Sequence, residues 1–192
     1  MTESCRVGIV SDTHGSIDSR IAGQVRRCDK VLHAGDIMSA AVLDQIYPDH
    51  GELYAVLGNN DSQRTWSPDT HGRLAEIPES VCLDLPGGLL CMIHGHQIWH
   101  QSDRHGALRQ LFPHARAVVY GHSHLRTYCD EESPWLLNPG AAGQVRNHGG
   151  PSCMILRASE ASWELDFLRY ANDAPSAPPV IKTWRLENSD AA

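Results

Sequence analysis

Nine polar residues each follow a short apolar run: Asp12, His14, Asp36, Asn59, Asp61, His94, His96, His122 and His124. Their donor atoms are nitrogen and oxygen, without a thiolate. Such a set suits Mn²⁺, Fe, Zn²⁺ or Ni²⁺ better than it suits a structural zinc cluster. Two cations held about 3.5–4 Å apart need one shared carboxylate and roughly three further ligands each. These residues are numerous enough for that. Asp12 and His14 are two apart, as are His122 and His124, so an extended backbone puts each pair on one side. The chain carries 12 histidines in 192 residues, and imidazole is the commonest metal ligand.

No single element of this set is specific. Asp-x-His occurs at 12/14, 69/71 and 103/105, and roughly one such match arises by chance. The second copy repeats the whole tetrapeptide Asp-Thr-His-Gly at 69–72, but it follows Ser67-Pro68 instead of an apolar run. Pro68 breaks any strand there, so 69–72 is expected to be a loop outside the site. Gly35-Asp36 and Gly58-Asn59-Asn60-Asp61 read, alone, as turns. His94-Gly95-His96 alone reads as hydrogen-bonded structure. His122-Ser123-His124 says more, because two protonated imidazoles on one loop repel. The information lies in the ordered set.

The elements that must position these residues follow from the apolar runs. Val7–Val10, Lys30–Ala34 and Leu53–Leu57 read as buried strands, separated by helices over 18–27 and from Ser39 to Pro48. This alternation implies parallel pairing in an α/β sandwich. Ser80–Leu85 and Leu89–Ile93 flank Pro86-Gly87-Gly88, a hairpin signal. A helix over 102–112 and the strand 117–120 follow, then strands near 126–129, 135–137, 152–157 and 163–170. These late antiparallel pieces are expected to build a second sheet packed on the first. A linker at 174–179 leads to a last strand near 180–186, within a single domain spanning 1–192.

Composition excludes several classes. Apolar residues make up 41% and charged residues 20%, enough for a packed core and against wholesale disorder. No run approaches the ~18 apolar residues of a membrane span, and the first residues lack a leader-like grading, which points to the cytoplasm. The net charge is −7, which argues against a sequence-blind grip on nucleic acid. The six cysteines at 5, 28, 82, 91, 129 and 153 form no C-x-x-C pair, and all are expected to be buried, inert thiols. Arg64, Arg104, Arg126 and Arg146 follow the motif loops and are candidates to clamp a phosphate. Trp66 and Trp99 are candidates to stack on a base, with core filling the commoner role.

Taken in order, Asp-x-His, Gly-Asp, Gly-Asn-x-Asp, His-Gly-His and Gly-His-x-His resemble the calcineurin-like metallophosphoesterases, in particular their YfcE-like phosphodiesterase branch. The likeness runs from residue 6 to about 170 and includes Asn138-Pro139-Gly140. It implies a four-layer α/β/β/α sandwich with two mixed sheets, and two divalent cations, Mn²⁺ foremost, at the strand ends. Carried over by position, Asp12, His14, Asp36 and His124 would hold one cation. Asp36, Asn59, His94 and His122 would hold the other, with Asp36 bridging. His96, Asp61 and His33 would support these ligands from behind. Asp36, Asn59 and His124 would act through the metals, with no protein nucleophile. A hydroxide shared by two cations would attack a small phosphate ester.

Relatives outside this branch carry, directly after the ligand Asn, a His thought to protonate the leaving group; here Asn60 stands there. The resemblance therefore implies diesters, or esters of acidic alcohols. Metal binding is expected to fall below about pH 6 as the imidazoles protonate. A non-catalytic scaffold of the same fold and a nuclease are the alternative functions, and a homo-oligomer is compatible with the sequence.

Overall fold

The computed structural model describes residues 4–173 and 176–187. Residues 174 and 175 of the predicted linker lie outside that range, as do residues 1–3 of the start read for a leader.

The first half forms as its apolar runs dictate. β1 (Ser4–Val10), β2 (Lys30–His33) and β3 (Glu52–Ala55) pair in parallel. Between them lie α1 (Ser19–Val25) and α2 (Ala40–Ile46). Asp18 caps α1 by accepting from the Arg20 amide, which satisfies an otherwise orphaned donor. Residues 68–72 depart from the expected loop. Pro68 opens a 3-10 turn, Pro68–Thr70, that runs into α3 (His71–Ala75), because proline is pre-shaped for a first helical position.

β4 (Ser80–Leu85) and β5 (Gly88–Ile93) form the hairpin. α4 (Arg104–Leu111) then leads into β6 (Ala117–Val119), β7 (Thr127–Cys129) and β8 (Trp135–Asn138). This sheet runs β4-β5-β6-β8-β7. The chain then returns: β9 (Ser152–Ser159), β10 (Ser162–Arg169) and β11 (Val180–Glu187) extend the first sheet in the order β11-β10-β9-β1-β2-β3. The late hairpin therefore does not join the second sheet, as the sequence suggested. It pairs antiparallel to β1, covering the edge that the first strand would otherwise expose.

The two sheets close face to face over Val7, Ile9, Leu32, Leu90, Met92, Val119, Met154, Leu156 and Trp163. α1 and α2 cover the outer face of the first sheet through Ile21, Val25, Val42 and Ile46. α4 covers that of the second through Leu108. The result is the expected α/β/β/α sandwich. One cysteine expectation fails: Cys82 and Cys91 are opposite each other across β4 and β5, their Cα atoms 4.0 Å apart, and are disulfide-bonded. Of the other four, none in a disulfide, Cys28 and Cys153 are buried as expected, whereas Cys5 and Cys129 are only half-buried.

Candidate metal centre

The carboxyl ends of β1, β2, β5 and β6 stop at one place, and short backbone links tie their loops together. The Asp12 amide donates to the Gly35 carbonyl and the His14 amide to that of Asp36, while the Gly121 amide donates to the His94 carbonyl. The glycines in these loops permit the approach. A Cβ on Gly58 would lie 2.2 Å from the Asp36 carboxylate, and one on Gly121 would lie 2.1 Å from Ser11 Oγ. Asp12, His14, Asp36, His122 and His124 all have positive φ, between 47° and 64°. Each left-handed side chain costs roughly 1–2 kcal/mol. Such clustering is a mark of functional loops, where the surrounding structure over-determines the strain.

One ligand atom from each of Asp12, His14, Asp36 and His124 lies within 4.8 Å of the others. The imidazoles enter with defined tautomers. His124 Nδ1 donates to the Val145 carbonyl at 3.2 Å, and His14 Nδ1 contacts Met38 Sδ at 3.2 Å. His94 Nδ1 donates to the Ala34 carbonyl at 2.6 Å. Their Nε2 atoms converge: His124 lies 3.4 Å from Asp12 Oδ1, His94 3.4 Å from Asp36 Oδ1 and His14 3.6 Å from Asp36 Oδ2, with His14 Nε2 and His124 Nε2 3.1 Å apart. A lone pair facing a carboxylate repels it unless a proton or a cation lies between. Asp12 Oδ2 and His94 Nε2 are moreover buried without any hydrogen-bond partner. Orphaned buried acceptors of this kind fit a cation.

The Asp36 carboxylate lies between His14 and His94, so it can serve two cations. On the His94 side the arrangement is looser. The His122 ring lies 5.3 Å from that of His94. Asn59 and His122 line a cavity of about 440 Å³ with Asp36, Asn60, Trp99, Ser123 and Arg146.

A surrounding shell holds these groups. Asp61 accepts from the amides of Ile37, Met38 and Gly58 and from Trp66 Nε1, locking the Asp36 loop to the Asn59 loop. His33 Nε2 meets Thr13 Oγ1 at 2.9 Å, and that hydroxyl donates onward to the Ile37 carbonyl. His33 thus acts on the Asp12 loop through Thr13. Asn138 donates to the Gly121 carbonyl at 2.8 Å and to Ser123 Oγ at 3.1 Å, pinning the His122–His124 loop. The sequence missed Asn60: its backbone amide donates to Asp36 Oδ1 at 2.9 Å and its side chain to Oδ2 at 2.7 Å. A second amide beside Asn59 was the available signal. Nothing in the sequence pointed to Met38.

Charge in the site follows largely from burial. It pushes Asp12 up to about 7, the opposing pull of His94 notwithstanding. It also lowers His122 and His124 to about 4, reinforced by His94 and Arg146 respectively, and lowers His14. At neutral pH these imidazoles are therefore neutral, the form that gives a lone pair to a metal. His94 goes the other way. Burial works to lower it, but the adjacent carboxylates of Asp36 and Asp12 raise it. For Asp36, burial works upward and is overcome by His94 and Asn60, which hold it well below the usual carboxylate range.

Other candidates are placed elsewhere. His71 Nε2 is 3.0 Å from the Gln63 carbonyl, and His105 Nε2 is 3.1 Å from the Tyr120 hydroxyl. The His96 ring lies 5.5 Å from that of His94 and 6.3 Å from that of His122. Arg104 stacks on Trp99 at 4.0 Å, Arg126 lies over Phe167, and Arg64 is exposed. Trp66 is core; Trp99 lines the cavity. Of the four arginines proposed as clamps, only Arg146 lines it.

A sequence model for the calcineurin-like phosphoesterase superfamily domain matches residues 5–161. A phosphodiesterase from Methanocaldococcus jannaschii is 28% identical over 144 residues, 70% of this chain and 82% of that protein. A probable metallophosphoesterase from Methanothermobacter thermautotrophicus is 27% identical over 170 residues, 85% and 91% of the two chains. Among solved structures, vacuolar protein sorting 29 from Cryptosporidium parvum superposes with a TM-score of 0.78 at 18% identity, over 96% of this chain and 99% of that one. The Entamoeba histolytica counterpart, solved with zinc, gives 0.72 at 17% identity, over 95% and 98%.

Proposed function

Because the chain belongs to the calcineurin-like phosphoesterase superfamily, we propose that it is a phosphodiesterase dependent on two divalent cations, acting as a single domain over 1–192. The observation that carries this reading is the convergence of Asp12, His14, Asp36 and His124, with Asp12 Oδ2 and His94 Nε2 buried and unpartnered. Asp12, His14, Asp36 and His124 would hold one cation, and Asp36, Asn59, His94 and His122 the other. Bound there, divalent cations would supply positive charge for the phosphoryl oxygens and ionise water near neutral pH. Mn²⁺ is the ion we favour, with Fe, Zn²⁺ and Ni²⁺ compatible with the same donors.

The residues themselves do the positioning. Asp36 is held by both donors of Asn60. His14, His94 and His124 keep their Nε2 lone pairs inward because their Nδ1 atoms are engaged. His33, Asp61 and Asn138 fix the three loops, and His96 would support His94. Asn60 has no proton to give at neutral pH, and its amide is committed to Asp36. The site therefore lacks an evident donor for a poor leaving group, which favours small diesters and esters of acidic alcohols.

The fold is shared with vacuolar protein sorting 29, so a scaffold role is the second reading; the convergence of Asp12, His14, Asp36 and His124 favours catalysis. The net charge of −7 argues against a nuclease. Among the described residues no helix is long and apolar enough to cross a membrane. We place the protein in the cytoplasm, and the Cys82–Cys91 bridge, which reducing compartments disfavour, is the observation against that placement.

The test is a series of phenyl phosphodiesters and monoesters assayed with Mn²⁺. Rates should fall steeply as leaving-group pKa rises, and activated diesters should outrun alkyl monoesters. Faster turnover of alkyl monoesters would overturn the diesterase reading.

A further inference from the structure

We propose that Arg146 is the phosphate clamp of this site, and that it competes with a cation for His124 Nε2. This deepens, and rests on, the metal-dependent phosphoesterase reading. Arg146 Nη2 lies 3.1 Å from His124 Nε2, the atom whose lone pair points at Asp12. The same guanidinium borders the cavity beside Asp36, Asn59 and His122.

Its placement is built. Arg146 has φ 51°, a left-handed conformation that a long side chain adopts only where the surroundings impose it. On one side, the Val145 carbonyl accepts from His124 Nδ1. On the other, buried Asn147 exchanges amide hydrogen bonds with Asn172 at 3.0 and 3.2 Å and donates to the Gly143 carbonyl. A Cβ at Gly143 would lie 2.4 Å from the Thr13 carbonyl, so this loop is seated directly on the one carrying Asp12 and His14.

Arg20, Arg26, Arg73, Arg109, Arg157 and Arg185 each pair with a carboxylate. Among the described residues, no carboxylate lies within ion-pair distance of Arg146; its partner is His124 Nε2. The His124 Nε2 lone pair can serve the guanidinium or a cation, but not both. With a cation there, the guanidinium faces like charge, and an anion between the two relieves it. A phosphoryl group fits, since its oxygens match the planar fork of arginine. Arg146 therefore opposes cation binding when phosphate is absent and favours phosphate binding beside the cation.

These effects have opposite signs, which a merely structural role would not produce. The full-length wild type and Arg146→Ala should be titrated calorimetrically with Mn²⁺, and then, Mn²⁺-loaded, with inorganic phosphate. The variant should bind Mn²⁺ at least as tightly as wild type and bind phosphate at least about tenfold more weakly, the loss of a charge-assisted pair. Arg146→Gly, which also relieves the left-handed strain, should show the same two changes, and Arg146→Lys should recover part of the phosphate affinity. Weaker Mn²⁺ binding in both truncations would make Arg146 a prop for His124 and overturn the clamp, as would unchanged phosphate affinity. If wild type bound no Mn²⁺, or Mn²⁺ did not improve phosphate binding, the phosphoesterase reading itself would fail.

Discussion

The tetrapeptide Asp-Thr-His-Gly occurs twice, at 12–15 and 69–72, with opposite fates. The first copy follows β1, whose last four residues are buried. Asp12 is fully buried and left-handed, and the amides of Asp12 and His14 bond the loop after β2. The second follows Pro68 and enters a helix. Asp69 is exposed, and His71 Nε2 bonds the carbonyls of Gln63 and Trp66. Identical residues differ because a buried strand delivers one copy to the edge of a sheet, where the next strand end can meet it. Chemistry here belongs to the strand ends, not to the tetrapeptide.

That contrast can be broken most sharply at the histidines. His14→Ala should lose cation binding and reduce diesterase turnover by about 1000-fold or more, as should Asp36→Asn, which removes the shared charge. His71→Ala should stay within about twofold of wild type. A dead His71→Ala protein, with its fold intact by circular dichroism, would refute the comparison.

The threonines give a smaller difference. Thr13→Val strips a buried hydroxyl from between His33 and the Ile37 carbonyl and leaves the His33 donor unpaired, at about 1–3 kcal/mol. Because His33 acts on the ligand loop through Thr13, cation affinity should also fall, by about tenfold. Thr70 donates from an exposed position to the Ser67 carbonyl, and Thr70→Val should change stability by less than about 0.5 kcal/mol. Urea denaturation of the pair measures both.

Two aspartates at the ends of the first loop sharpen the comparison through pH. Asp12 has no arginine partner, whereas Asp18 accepts from Arg20 at 2.9 and 2.7 Å. Arg20 holds the Asp18 carboxyl below its ordinary range. A folded-state pKa below the unfolded one stabilises the protein above the unfolded value near 4, and that stability is lost as pH falls through the depressed native value. Asp18→Asn keeps the capping oxygen but removes the charge. It should cost about 1–2 kcal/mol at pH 7, and the difference from wild type should shrink below pH 4. A constant difference down to pH 2 would show that the ion pair contributes nothing.

The glycines give the smallest effect, and it changes sign. Gly15 has φ 85°, while Gly72 lies in α3, and a Cβ added at either would meet no neighbouring side chain within 4 Å. Gly15→Ala should destabilise by about 1 kcal/mol through left-handed strain, and Gly72→Ala should stabilise by about 0.5–1 kcal/mol through helix propensity. Thermal melts of the two variants should move in opposite directions.

Most of the fold was legible because its strands are short apolar runs with polar stops. The family resemblance was legible because the five motifs follow those strands in order. What escaped was non-local. Nothing in the pattern of 152–170 says which sheet it joins; β9 pairs with β1 because that edge lies open, a fact of assembled topology. The Cys82–Cys91 bridge escaped through one residue of register. A three-residue turn at 86–88 places Cys82 opposite Met92, whereas the actual two-residue turn pairs Leu85 with Gly88 and so Cys82 with Cys91. Such a slip reverses which side chains meet. Asn60 stands out in the sequence for the proton it lacks, while its position beside Asn59 lets its backbone and side chain together hold Asp36. The helix at 71–75 is hidden as long as Pro68 counts only as a strand breaker.

The central claim is that the residues around Asp36 form a two-cation centre that the reaction requires. Equilibrium dialysis of chelator-treated protein against Mn²⁺, with diesterase activity followed on the same samples, tests it most directly. Two ions should bind per chain, activity should rise with their binding, and His14→Ala should lose both. Turnover that persists in the chelator-treated protein, or Mn²⁺ binding that His14→Ala leaves intact, would contradict the account.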